Sequence, residues 1–161
     1  MLAYPDHNYP PEELPVMLVP HTGINAAAGR LFKRPLVAFS AGLAGHALLD
    51  LVPHKDISAH KAEGFMVMLM LGLVGSSCGW RSTAFWCAMG GVLPDVEQVL
   101  PWTDPARGRR RYFPTHSRRF HSLPVPGARE YRTSLFLQSA ISLAALTIAI
   151  TGCRPDRCGR S

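Results

Sequence analysis

The sequence predicts an all-α chain, a compact bundle of about five helices that is partly membrane-associated, with a long Arg-rich loop before the last helix. Three observations lead there. No segment shows a convincing period-2 alternation, so strands are not expected anywhere. Apolar runs recur between breaks marked by Pro35, Pro53, Pro94 and Pro101, and helices usually begin just after or end before such residues. Only 17% of residues are charged while 47% are apolar. The charged share is low against the usual quarter, and the mean hydropathy of +0.07 lies between that of a soluble enzyme and an integral membrane protein. A chain of 161 residues is enough for one core and not comfortably for more.

The elements follow in order. Residues 1–16 hold Pro5, Pro10, Pro11 and Pro15 with Asp6, Glu12 and Glu13, a composition that neither continues a helix nor buries a core, so this is a flexible arm. It contains no basic stretch leading into an apolar run, hence no secretory signal. Residues 17–152 form the helical domain. Its first helix runs from Thr22, a good N-cap, to Phe32, with Ala26, Ala27 and Ala28 as strong helix formers. Pro35 opens a second, from Leu36 to Val52, which Pro53 ends. A loop over 54–63 leads to a third helix near Gly64, apolar all round through Val74 and therefore buried in protein or in lipid. The fourth, Ser82 to Leu93, stops at Pro94. The last, Thr133 to Thr151, carries no formal charge and has the length of a membrane span.

Residues 153–161 are read as an ordinary tail. Cys153 and Cys158 sit there at a spacing longer than a zinc knuckle, with a disulfide or metal clip between them as the lesser reading. Cys78 and Cys87 lie in apolar surroundings and read as small buried hydrophobes.

Much of the net charge of +6 is local: Arg107, Arg109, Arg110, Arg111, Arg118, Arg119, Arg129 and Arg132 face only Glu130 within their stretch. Beside apolar helices this reads as a cytoplasmic segment, placing the chain at the inner, cytoplasmic membrane with the Arg-rich loop on the cytoplasmic side. Nucleic acid is a weaker partner, since neither an RNP pattern nor a DNA-reading helix accompanies the arginines.

Three short clusters carry the chemistry. His46 and Asp50 are four apart on one helix, so both side chains reach a common cation, and His54 follows just beyond Pro53. An imidazole and a carboxylate at this spacing suit zinc, with manganese or iron as other choices. Asp95 and Glu97 follow Pro94, which pushes Leu93 into an extended form; residues two apart then point the same way. The alternative is that Asp95 caps a short helix. His116 and His121 lie in a polar loop around Arg118 and Arg119, a pair suited to holding a phosphate or another oxyanion. His21, just before the first helix, is a fourth and weaker element. Each cluster sits at a helix end, and helix ends on one side of a bundle converge into one polar pocket.

These residues also carry a resemblance. Gly42 through His54, Leu93-Pro94-Asp95-Val96-Glu97 and Thr115-His116-Ser117 resemble the inner-membrane-associated family of metal-dependent hydrolases and, more distantly, the helical zinc-dependent phospholipase C proteins. The resemblance spans about residues 20–150. It departs in the order of the His-Asp and Pro-Asp elements and in having Glu97 where a second Asp is commoner. It implies a helical fold, a divalent metal and phosphoester hydrolysis.

The residues and the resemblance lead to one expectation. His46, Asp50, His116 and His121 are the core ligands, and Asp95, His54 and His21 complete the set or bridge a second ion. Glu97 is the base or an orienting group, and Arg118 and Arg119 stabilise charge on a phosphate-containing small molecule or lipid. The competing expectation is a non-enzymatic membrane scaffold with structural His–Asp contacts, its Arg-rich loop binding anionic lipid or a partner.

Overall fold

A computed structural model describes residues 18–51, 60–99, 113 and 135–153. Among them are five α-helices and no strand: α1 (Leu18–Gly29), α2 (Pro35–Leu49), α3 (His60–Cys78), α4 (Thr83–Val99) and α5 (Leu135–Thr151). The all-α bundle is as the sequence predicts. The arm 1–16, the Arg-rich connection and the tail beyond Cys153 lie outside the described residues. Among those described, no helix is long and apolar enough to cross a membrane. The described part of the last helix, Leu135–Thr151, has 17 residues, ~26 Å at the α-helical rise, against a hydrocarbon core of ~30 Å.

Helix α1 is the hub. It packs against each of the other four helices, and α2 packs mainly on α4. The short connections α1–α2 and α3–α4 make those neighbours run in opposite directions, so the bundle has two distinct ends. One gathers the start of α1, the end of α2 and the end of α4, where His21, His46 and Asp95 meet. The other gathers the end of α1, the end of α5 and the α3–α4 turn, where Arg30 bonds the carbonyls of Ile148 and Gly152.

α3 begins at His60, so residues 60–63 are helix rather than the end of a loop; two other boundaries differ from expectation for reasons of packing. α1 starts at Leu18, so Thr22 is not a cap but a fully buried interior residue; Pro20 occupies the first turn, where its missing N–H is not needed. α4 continues through Pro94 to Val99. A proline inside a helix costs about 3 kcal/mol, but Pro94 is buried, and burial of this turn against its neighbours outweighs the local preference. The missing N–H also opens the ladder at the carbonyl of Gly90.

The core is built from Val67, Met70, Leu71 and Val74 of α3 against small residues, Ala26 of α1, Ala84 and Ala88 of α4 and Ala149 of α5. Small residues let backbones approach. A Cβ at Gly42 of α2 would fall on the Cys87 carbonyl of α4, and one at Gly90 on the Phe39 carbonyl. Gly42→Ala should therefore cost about 1–3 kcal/mol through overpacking, read as a lower denaturation midpoint with an unchanged m-value.

Cys153 is not part of a free tail. It forms a disulfide with Cys78 at the end of α3, with Cα atoms 5.1 Å apart, across a sequence separation of 75; Cys87 is free and buried, as expected. The sequence read Cys153 as part of an ordinary tail, with Cys158 its lesser partner, and Cys78 as a small buried hydrophobe; the fold brings the ends of α3 and α5 together and joins the two. Closing so long a loop restricts the unfolded chain, and the Cys78→Ala/Cys153→Ala variant should lose about 2–5 kcal/mol of stability. Because the bond lies at the end remote from His46, the double variant should keep whatever metal the wild type binds, measured on the folded fraction.

Candidate metal centre

Three helices supply the site. His21 comes from the first turns of α1, His46 from the last turn of α2, and Asp50 caps that helix. Asp95 lies one residue past the proline of α4. His46 and Asp50 are one helical turn apart, so their side chains stack on one face, as their spacing predicts. His21 joins them because α1, the hub, packs against both α2 and α4.

The donor atoms are close and dry. His21 Nδ1 is 3.1 Å from His46 Nδ1, and Asp95 Oδ2 is 3.6 Å from each of these nitrogens. His46 Nε2 is 3.2 Å from Asp50 Oδ2, and His21 Nε2 is 3.7 Å from Asp50 Oδ1. Side-chain exposures are 2% for His21, 0% for His46, 6% for Asp50 and 4% for Asp95. His21, His46 and Asp95 each offer one ligand atom within 4.8 Å of the others. Nitrogen and oxygen ligands at about 2.0–2.2 Å from a shared ion stand ~3–3.6 Å apart, and the three separations above fall in that span. The residues present therefore fit a divalent cation. With both imidazoles neutral, the two carboxylates leave a charge that such an ion would cancel.

The protons follow from the acceptors. In the ion-free protein the His46 Nδ1–H donates to the Gly91 carbonyl at 2.8 Å, next to the opening that Pro94 makes in α4; to ligate an ion, Nδ1 would have to give up this proton. On the other side of the ring, Nε2 faces the Asp50 carboxylate. Burial, the largest single influence, disfavours the charged ring; the Asp50 hydrogen bond, the charges of Asp95 and Asp50 and the Gly91 carbonyl together outweigh it, so the His46 pKa is raised. For Asp50, burial pushes upward, but the His46 hydrogen bond and the charges of His46 and His21 win, and its pKa is lowered.

Asn25 fixes the relation of the helices. It lies one turn after His21, is 3% exposed, and its amide donates to the His21 carbonyl at 2.9 Å. Its side chain fills the space where Gly45 of α2 and Gly91 of α4 lack a Cβ; a methyl group at either position would collide with the amide.

Of the residues proposed from the sequence, His21, His46, Asp50 and Asp95 come together. His21 is at the centre of the cluster rather than at its margin, and Asp50 lies behind His46 rather than within the closest set. Asp95 neither follows an extended segment nor caps a helix; it is interior to α4. Glu97 is on the same helix, so the extended conformation on which the expectation of a shared direction rested is absent. His54, His116, His121, Arg118 and Arg119 lie outside the described residues. Asn25 and Glu63, a carboxylate 2% exposed in the first turn of α3, were not singled out in the sequence. Local pattern did not mark either: Asn25 shares its helix with His21 and Thr22, and Glu63 follows His60 and Lys61 at the polar start of α3.

No family model, curated protein or solved structure matches this chain. What the centre can do is therefore read from its own geometry.

The two shifts set a pH window for the ion-free protein. His46, with its pKa raised from 6.5, contributes stability below that value and loses it as pH rises through the folded-state pKa. Asp50, lowered from 3.8, contributes above that value and loses it as pH falls through its own folded-state pKa. Chelated protein should be most stable between about pH 4 and 6.5 and lose stability on the alkaline side. His46→Gln should be less stable at pH 5.5 yet flatten that alkaline slope; an unchanged slope in chemical denaturation would remove His46 as its origin.

Proposed function

We propose that the protein is a divalent-metal-dependent hydrolase, with zinc the first candidate and a phosphoester the substrate class. The observation that supports this best is a set of two imidazoles and a carboxylate, drawn from three different helices, buried and close enough to share one ion. The zinc, the phosphoester and a membrane location are carried by residue types and by the resemblance of the Pro-Asp and His-x-x-x-Asp elements to the hydrolase family.

In this reading His21, His46 and Asp95 hold the ion. Asp50 accepts from His46 Nε2 and so fixes the ring's orientation and tautomer, the usual role of a carboxylate behind a ligating histidine. The ion, when bound, lowers the pKa of a bound water towards neutrality. Asp50, the carboxylate outside the closest ligand set, takes the base role that the sequence had suggested for Glu97. Arg118 and Arg119 remain the candidates for binding phosphate oxygens.

One observation favours the alternative, a structural polar cluster in a helical scaffold: both nitrogens of His46 already face protein acceptors, Gly91 and Asp50. Metal content separates the two readings. Purified wild-type protein should take up about one equivalent of zinc, manganese or iron, with His21→Ala, His46→Ala and Asp95→Ala each losing it. Asp50→Asn should keep the ion but bind it about 10–100-fold more weakly and lose turnover of an aryl phosphate. Full zinc content in folded His21→Ala would overturn the ligand set. No uptake of any of these ions by the wild type would leave the scaffold.

A further inference from the structure

The charged residues of the described helices are sorted by end. Asp50, Glu63, Asp95 and Glu97 belong to the turns at the metal-centre end, and Lys61 is the one Lys or Arg among them. Arg30, Lys33, Arg34 and Arg81 lie at the other end, in the α1–α2 connection and the α3–α4 turn. No Asp or Glu among the described residues accompanies them there. The two connections are neighbours in space: a Cβ at Gly29 would meet the Thr83 carbonyl and Ala84.

This basic end is also apolar at its rim. Leu31 is 83% exposed, Leu36 78% and Trp80 58%. Trp80 is held rather than loose. Its ring covers Gly75, where a Cβ would strike it, and packs edge-on against Phe85 at 5.1 Å between centroids. The turn beneath it is rigid, with Gly79 at φ 90° and the Ser82 hydroxyl accepting from the Phe85 N–H at 3.2 Å. Arg30 is committed to capping α5 through the Ile148 and Gly152 carbonyls; Lys33, Arg34 and Arg81 are exposed.

We propose that this end of the bundle docks onto the surface of an anionic lipid bilayer. Leu31, Leu36 and Trp80 enter the boundary between headgroups and acyl chains, and Lys33, Arg34 and Arg81 meet the anionic headgroups. The complementarity is of both kinds such a surface asks for: cations without competing carboxylates, and a fixed indole with leucines at the same level. Exposed apolar side chains also occur elsewhere, Phe65 at 71% and Leu48 at 66%; at this end they stand beside cations with no Asp or Glu among the described residues, the pairing that an anionic bilayer matches and an acidic protein does not require. The surface is distinct from the Arg107–Arg132 stretch and independent of whether the centre at the opposite end holds a metal.

The test uses the full chain, which has three tryptophans. Trp86→Phe/Trp102→Phe leaves Trp80 as the reporter, mixed with phosphatidylglycerol vesicles whose acyl chains are brominated. Trp80 emission should shift to the blue and be quenched, with far less effect in phosphatidylcholine vesicles. Flotation of the protein with its three native tryptophans gives a second measurement that does not depend on the reporter variant. In flotation, Lys33→Gln/Arg34→Gln/Arg81→Gln should bind roughly 100-fold more weakly, at about fivefold per cation, and Leu31→Ser/Leu36→Ser should also weaken binding while leaving helicity unchanged. An unquenched Trp80 in vesicle-bound protein overturns the proposal. So does wild-type flotation of the triple variant, or binding that is lost only in Arg109→Gln/Arg110→Gln/Arg111→Gln.

Discussion

Four ionisable side chains buried together in a bundle of nearly uncharged helices form the constraint on which the structure turns. A lone carboxylate or imidazolium at such a depth would be driven to neutrality or out of the core. His21, His46, Asp50 and Asp95 are tolerable there because each faces groups of opposite demand: carboxylates on both sides of His46, a backbone carbonyl at its Nδ1, and imidazoles around Asp50. The same mutual dependence makes the cluster suitable for an ion, since two carboxylates and two neutral rings are short of positive charge by the amount a divalent cation brings. Whether the protein uses the cluster for chemistry or for cohesion, removing one member leaves the others exposed to the full cost of burial.

That cluster can exist only because α1 runs through the middle of the bundle. A central helix meets partners on every side, and its sequence answers with residues that are small or able to hydrogen-bond inward: His21, Thr22, Asn25 and Ala26 are all at or below 3% exposure. Gly42, Gly45, Gly90 and Gly91 do the complementary work on α2 and α4, bringing the backbones close enough for His46 to reach a carbonyl of the neighbouring helix. Pro94 contributes by loosening the ladder of α4 where that carbonyl is needed. Glycine and proline, which cost stability in an isolated helix, here shape the polar centre.

The bundle is also polarised from end to end. Acidic groups and the candidate centre occupy one end; basic groups, Leu31, Leu36 and Trp80 and the Cys78–Cys153 bond occupy the other. The bond and the Arg30 contacts tie α5 to the rest of the structure where its own helix is ending. The end tied by the disulfide and the end that holds the buried cluster are therefore different places, and the helix turns around His21, His46 and Asp95 are set by packing.

The sequence by itself determined the helical class, the approximate positions of the five helices and the candidacy of His46, Asp50, Asp95 and His21, because helical spacing and the scarcity of charge are local properties. It misplaced what depends on neighbours. Thr22 has the chemistry of a cap, and Pro94 that of a stop, but burial of both turns against other helices outweighs the local preference. The extended conformation expected at Asp95 and Glu97 gives way to helix, because tertiary packing selects the backbone. The partner of Cys153 is Cys78 rather than Cys158, since a disulfide joins what is near in space. The rank of His21 rose for the same reason: only the packing of α1 against both α2 and α4 brings it within 3.1 Å of His46, a contact between residues too far apart in the chain for any local pattern to encode.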